Sequence, residues 1–238
     1  MMVLHSKDFI RNRIELDIVD STNKHALDLD REGQLVIARA QRAGRGRKGR
    51  PWYSPEGNNI YMTVTLGKPD PKYPLIAGVA LRQTLAMLMK DRDVLIKWPN
   101  DILLEGKKVA GILCESRGKI TAIGMGVNVN QDLWPDELKD AATSLASISG
   151  IQYDIGQLID AIVESLARWI SIYIRDGFTP VRRYFLQHSV TIGKSVFTEE
   201  GTPCTILDLT MEGHLVLDIQ GKVVTLSSGE IVMARQTV

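Results

Sequence analysis

Ala38-Arg39-Ala40-Gln41-Arg42-Ala43-Gly44-Arg45-Gly46-Arg47-Lys48-Gly49-Arg50-Pro51-Trp52 is the stretch that separates one fold class from another. Its Gly44-Arg45-Gly46-Arg47-Lys48-Gly49 core has the spacing of a dinucleotide fingerprint, with Asp70 about twenty residues on. That fingerprint works only where it opens a helix whose N-terminus meets a pyrophosphate. Here Arg50-Pro51-Trp52 leads into the turn-rich Ser54 to Asn59, and then Ile60, Met62, Val64 and Leu66 alternate as a strand. Upstream, Leu35-Val36-Ile37-Ala38 reads as another strand. The loop is therefore expected to hang between two strands, which excludes a Rossmann site.

Six cations and three glycines fall in residues 39–52, with no acidic residue among them. Glycine permits positive φ and close backbone approach, and arginine brings a fixed charge with a planar donor fork. Either the loop is a solvated face, as like-charge blocks often are, or it wraps an anion. The chain as a whole does not share its charge. Its 238 residues carry 29 Lys+Arg against 28 Asp+Glu, a net charge of +1, so a general polyanion coat is excluded. With 44% apolar and 24% charged residues it has the composition of a globular protein large enough for one core and a small appended module. The start lacks the long apolar run of a signal peptide, and no stretch approaches the ~20 apolar residues of a membrane span, so no membrane partner and a cytoplasmic location are expected. Cys114 and Cys204 are far apart and expected to be reduced and buried. Histidines 5, 25, 188 and 214 form no ligand cluster, and no intrinsic metal site is expected.

Working outward from the loop, Ile14, Leu16 and Ile18 alternate as a strand ending at Asp20. Ser21-Thr22-Asn23 caps a short helix that Gly33 should close. After the prolines between Lys68 and Pro74, Leu75 to Lys90 is apolar almost all round, Arg82 being its mid-helix charge, and should be a buried helix. Val94 to Trp98, Val109 to Glu115 and Ile120 to Val129 read as strands, the first two joined as a hairpin through Glu105-Gly106-Lys107. Asp154 and Gln157 form a capping box ahead of an amphipathic helix to Gly177, and Thr179-Pro180 opens another to about Gln187. From Ser189 the texture changes to short strands at Ser195–Thr198, Thr205–Leu209, Leu215–Ile219, Val223–Leu226 and Glu230–Met233, with a Gln220-Gly221 turn, which suggests a small SH3-like β-barrel. The expected domains are 1–188 and 189–238.

Three further stretches carry chemistry. Lys97-Trp98-Pro99-Asn100-Asp101 ends a strand, because Pro99 cannot continue a ladder; Asn100 and Asp101 are either presented groups or ordinary turn residues. Lys108 opens the apolar run Val109 to Leu113, an expensive place for an ammonium unless an anion meets it or its stem reaches water. Gly124-Met125-Gly126-Val127-Asn128-Val129-Asn130 places glycines inside a strand, which marks a bend or a close ligand approach.

Together with Ser21-Thr22-Asn23, Ala142-Thr143-Ser144-Leu145 and Gly229-Glu230-Ile231, these stretches closely resemble the biotin protein ligases over nearly the whole chain. The resemblance implies an α+β fold, a mixed β-sheet flanked by helices followed by a small SH3-like barrel. It also implies an ATP-dependent enzyme that activates biotin to biotinyl-5'-AMP and transfers it to a lysine of a biotin carboxyl carrier protein domain. By the same match Ser21, Thr22, Asn23 and Gln41 hold the biotin head. Gly44, Arg45, Gly46 and Arg47 surround biotin and the adenylate phosphate, with Trp52, Gly111, Gly124 and Gly126 also on the binding side. Lys108 contacts the activated carboxyl, Asn128 and Asn130 lie toward the nucleotide, and Lys97 and Asp101 lie near the reacting centre. Arg47, Lys97, Asp101 and Lys108 are the expected catalytic set. Mg2+ should ride on the triphosphate. A homodimer is implied. Only about a dozen residues precede the first strand, too few for the winged helix-turn-helix of bifunctional members, so repressor activity and nucleic-acid partners are not expected. The rival readings are a single-strand nucleic-acid module built on the Arg-Gly loop and a lipoate or octanoate ligase.

Overall fold

A computed structural model describes residues 9–229 together with Ile231 and Val232. The chain opens with β1 (Asn12–Val19), α1 (Thr22–Asp28) and β2 (Gln34–Gln41), where β1 and β2 run parallel and α1 is the crossover. Ser21 caps α1 by accepting a bond from the Lys24 N–H at 3.4 Å. Gly33 does not close that helix. α1 ends at Asp28, and Gly33, at φ 74°, turns the chain into β2 instead.

The basic loop follows, and then β3 (Ile60–Gly67), α2 (Tyr73–Leu88), β4 (Val94–Lys97), β5 (Asp101–Leu104), β6 (Lys107–Arg117) and β7 (Ile120–Val127). They form a seven-stranded sheet in the order β1-β2-β3-β7-β6-β5-β4, antiparallel after the first pair. One strand is not apparent from the sequence pattern. Residues 94–98 and 109–115 are not hairpin partners, because β5 lies between them; Glu105-Gly106 joins β5 to β6, and the Trp98-Pro99-Asn100 turn joins β4 to β5. Asp101-Ile102-Leu103-Leu104 has no alternation to betray it, since its last three side chains are all buried.

Both faces of the sheet are covered, which is why β3 is buried from Ile60 to Thr65 despite its alternating sequence. Ile60, Met62 and Val64 enter the main core beneath α2 and α4 (Ile155–Asp176), while Thr63 turns to the α1 side. The short α3 (Leu145–Ser149), not foreseen, begins at the Ser144 cap. α5 (Thr179–His188) then leads to a five-stranded antiparallel sheet of β8 (Ser195–Thr198), β9 (Pro203–Leu209), β10 (Leu215–Ile219), β11 (Lys222–Leu226) and β12 (Ile231–Val232), ordered β11-β10-β9-β8-β12. Of the last expected strand, Glu230 and Met233 lie outside the described residues. Phe178, Val181 and Phe185 join Val196, Ile206, Leu209 and Leu217 in the same apolar cluster as the large sheet. The small sheet therefore rests on the helices, and the Trp98 indole N–H reaches it, donating to the Gly213 carbonyl at 3.2 Å. Cys114 is half-buried, Cys204 is buried, neither is in a disulfide, and desolvation pushes both thiols up.

Candidate active site

A cavity of about 270 Å3 opens between the basic loop, the N-terminus of α1, the β4–β5 turn and the face of β6 and β7. Its floor explains the strand glycines. Gly111 of β6 pairs in register with Gly126 of β7, and the Trp52 ring lies on both. A Cβ on Gly126 would stand 2.6 Å from that ring, and one on Gly111 3.1 Å from it. A Cβ on Gly124 would meet Asn23 Oδ1 at 2.2 Å. The glycines are close-approach positions for side chains arriving from other elements.

At one end a polar network fixes the α1 residues. Gln41 Oε1 accepts from the Thr22 N–H at 2.9 Å and from its hydroxyl at 3.2 Å. Thr63 Oγ1 lies 2.9 Å from Thr22 Oγ1 and 2.7 Å from Asn23 Oδ1. Asn23 Nδ2 donates to the Leu113 carbonyl at 3.1 Å and to Glu115 Oε2 at 2.8 Å. Glu115 in turn holds Arg45 at 3.0 Å. Buried amides and hydroxyls bonded this completely form a rigid, directional wall.

The other end is charged. β5 starts at Asp101, and its bulge between Ile102 and Leu103 sets its register against β6. The Lys108 ammonium lies 2.7 Å from Asp101 Oδ1, a buried acceptor with no other partner among the described residues, and 5.2 Å from the Trp52 ring centroid. The expensive lysine of the sequence is thus met by a carboxylate and an aromatic face. Arg47 donates to Asn100 Oδ1 at 3.4 Å and to the Gly229 carbonyl at 3.1 Å, and Lys48 pairs with Glu199, so the loop is tied to the small sheet. Trp52 Nε1 is buried and has no partner among the described residues. An orphaned indole donor beside a cavity has the chemistry of a group awaiting a ligand acceptor.

Of the residues singled out in the sequence, Ser21, Thr22, Asn23 and Gln41 line one end; Arg45, Gly46, Arg47 and Trp52 the loop side; and Lys97, Asp101 and Lys108 the charged end. Gly111, Gly124, Gly126 and Asn128 complete the wall. Two do not reach it. Gly44 sits where a Cβ would strike Ser54 Oγ at 2.6 Å and Gln41 Nε2 at 2.9 Å, so it serves the packing of the loop itself. Asn130, expected toward the nucleotide, commits its amide to the Tyr153 backbone, donating to the carbonyl and accepting from the N–H, each at 2.9 Å. Asn128 lines the cavity, yet its Nδ2 donates to the Thr143 carbonyl at 3.0 Å. Tyr53, Trp134 and Leu138, which the sequence motifs do not single out, also line the cavity. Trp134 and Leu138 come from a connection without periodicity, where only their apolar character among acidic neighbours could have marked them.

A seven-stranded sheet that sets a polar pocket beside a cluster of cations defines a protein that gathers a small molecule with an anionic co-substrate. The Biotin/lipoate A/B protein ligase family profile matches residues 15–132, from within β1 to just past β7, with most of the cavity wall. The biotin--[acetyl-CoA-carboxylase] ligase of Paracoccus denitrificans is 34% identical over 77% of this chain and 83% of its own, and that of Mycobacterium tuberculosis 31% identical over 93% and 90%. The bifunctional ligase/repressor BirA of Bacillus spizizenii is 39% identical over 90% of this chain and 72% of its own; its Bacillus subtilis counterpart is 40% identical, and the chain spans 60% of that relative's length. Among solved structures, the biotin protein ligase of Aquifex aeolicus in complex with biotin and ATP superposes with a TM-score of 0.86 at 26% identity, covering 95% of this chain and 100% of that one. The chain belongs to the biotin/lipoate A/B protein ligase family and, within it, to the biotin protein ligases. Its activity is that of the class, adenylation of biotin and transfer to protein. Among the described residues no helix is long and apolar enough to cross a membrane.

Proposed function

We propose that biotin lies with its ring system against Thr22, Asn23 and Gln41 and its carboxylate toward Lys108, and that ATP meets it beneath Arg45 and Arg47. The observation that carries this reading is the two-ended cavity, a saturated amide and hydroxyl wall at one end and the Lys108–Asp101 pair with the orphaned Trp52 N–H at the other. A biotin carboxylate oxygen attacks the α-phosphorus and pyrophosphate leaves. Two anions approach only if cations lie between them, and each charge-assisted contact contributes roughly 1.5 to 3 kcal/mol. Positioning supplies up to about 7 to 11 kcal/mol more, so no covalent enzyme intermediate is required.

As Lys108 turns to the forming acyl phosphate it leaves Asp101, whose freed carboxylate then orients the amine of the carrier lysine and favours its neutral form. The amine attacks the acyl carbon and AMP departs. Lys97, which also lines this end, stabilises the departing phosphate. Among the described residues no group of three His, Cys, Asp or Glu side chains is placed to hold a metal. Mg2+ therefore enters as part of the substrate MgATP. The acceptor is one lysine of a biotin carboxyl carrier domain. The proposal also includes a homodimer in the cytoplasm, division into a catalytic domain 1–188 and an SH3-like domain 189–238, and no repressor function. The near-neutral charge and the internal pairing of Arg45 and Lys48 support the absence of nucleic-acid binding. Salt-dependent retention on duplex DNA, read by filter binding, would count against that part.

Arg47→Gly tests the retention of the intermediate. The change removes the bonds to Asn100 and to the Gly229 carbonyl and frees the loop backbone. Losing one charge-assisted contact should speed escape of biotinyl-5'-AMP about ten- to hundredfold. The mixed anhydride then acylates any exposed amine. With ATP, biotin and an unrelated lysine-rich protein present, the variant should label that bystander; carrier labelling without bystander labelling assigns retention elsewhere in the loop.

A further inference from the structure

The far end of the seven-stranded sheet carries a second hollow, of about 840 Å3, which shares no lining residue with the reaction cavity. Its volume is within the roughly 300–1,000 Å3 typical of small-molecule sites. Local sequence makes its floor apolar. Leu66 comes from the end of β3, Ile120 from the start of β7, Tyr73 from the first turn of α2, and Ile170 and Ile174 from one face of α4. Ile170 is only 4% exposed, whereas Ile174 is 71% exposed, so the apolar strip runs from the core to open solvent. A single exposed isoleucine needs no explanation, but an apolar strip that shares a hollow with two exposed lysines does.

Lys68 and Lys119 stand at the lip, both exposed. Their backbones are joined by the Lys68 N–H to the Lys119 carbonyl at 2.7 Å. Lys68 is held at φ 41°, where glycine would sit without strain and a lysine does not. The carboxylates nearby have partners: Glu32 and Arg11 line the same hollow and pair with each other at 2.8 Å, and Asp70 accepts the Tyr173 hydroxyl at 2.5 Å and the Lys72 N–H at 2.9 Å. With the Glu32–Arg11 pair neutral, Lys68 and Lys119, which have no ion pair among the described residues, leave the head of an apolar trough positive. A neutral lipid would leave them unanswered, and a small hydrophilic anion would leave the floor wet. Only an amphiphile with an anionic head answers both.

We propose that this hollow binds a free long-chain carboxylate, with its head at Lys68 and Lys119 and its tail along Leu66, Ile120, Ile170 and Ile174. The full chain is titrated with dansyl-undecanoate below its micelle concentration, and dodecanoate and dodecanol are compared as competitors. The expected result is saturable binding of one probe per chain, with dodecanol at least about tenfold weaker than dodecanoate, the factor that corresponds to one charge-assisted contact. Lys68→Glu combined with Lys119→Glu should weaken the probe by a similar factor or more. Ile174→Glu, which alters only the floor, should do so as well, and both variants should keep the parent's unfolding midpoint and pyrophosphate exchange. Absence of saturable binding, equal competition by dodecanol, or indifference to charge reversal overturns the proposal. So does co-sedimentation with phosphatidylglycerol vesicles without binding of the monomeric carboxylate, which assigns the patch to a membrane surface, or loss of a dimer in Ile174→Glu with probe affinity intact, which assigns it to a second copy of the chain.

Discussion

Replacing Lys108 by alanine is expected to lower biotin-dependent pyrophosphate exchange by about a hundred- to a thousandfold, the loss seen when one preorganised charge-stabilising group is removed from an active site. The effect is expected to exceed that of a loop arginine because Lys108 stands on β6 rather than on the loop, and it is the cation proposed to meet the biotin carboxylate. Its pairing with Asp101 means that the substitution also touches stability. It strands Asp101 Oδ1, a buried atom with no other partner among the described residues, so the cost should be about 1 to 3 kcal/mol. Asp101→Asn separates the roles. It removes the carboxylate while leaving Lys108 in place, and should impair transfer to the carrier more than exchange. A Lys108→Ala enzyme with parental exchange would remove Lys108 from the chemistry, whatever its effect on the unfolding midpoint.

The second large effect is expected from Gly124→Ala. One methyl group would stand 2.2 Å from Asn23 Oδ1, and Asn23 has no room to yield: it is 3% exposed and held by Thr63, Leu113 and Glu115. Overpacking of this kind costs about 1 to 3 kcal/mol of stability. It also displaces the wall proposed to grip biotin, so biotin affinity should fall by about five- to a hundredfold, the equivalent of losing two hydrogen bonds. Gly126→Ala is the companion. Its methyl meets the Trp52 ring at 2.6 Å, on a loop rather than on the sheet, and should disturb stability less. Calorimetric titration with biotin and thermal unfolding of both variants distinguish the cases; parental biotin affinity in Gly124→Ala would show that Asn23 is not part of the biotin wall.

Much of this arrangement is legible in the amino-acid sequence. The basic loop lies between two strands because Pro51 and the Ser54–Asn59 turn leave no α-helix for it to open, and it holds only a single 3-10 turn at Arg47–Gly49. The stripe from Ile155 to Tyr173 becomes α4, capped by Asp154 and stopped by Gly177. The short strands after Ser195 fall within a few residues of their expected places because glycine turns punctuate them. What stays hidden shares one cause, tertiary cover. β5 is four residues long and buried on both faces, so neither period nor length separates it from the turn before it. Gly33 resembles a helix stop, but the turn it serves belongs to β2. Asn130 has a suitable residue type at a suitable spacing, and only the packing of the 150–154 connection shows its amide engaged by Tyr153. The Lys108–Asp101 pair joins residues seven apart in sequence that meet through the β5–β6 register, which requires β5 to be known. Conversely, the cost of a lysine opening an apolar strand is visible in the sequence, and in the fold a carboxylate and an aromatic face meet it.

The central claim is that the two-ended cavity joins biotin to the α-phosphate of ATP without help from the acceptor. It is tested most directly by incubating the full chain with MgATP and labelled pyrophosphate, with no carrier domain present, and following label into ATP with biotin or with lipoate. Exchange that saturates with biotin, is near background with lipoate, and disappears in Lys108→Ala is the predicted result. Exchange supported equally by lipoate, or biotin-dependent exchange that appears only when a carrier is added, would contradict the account.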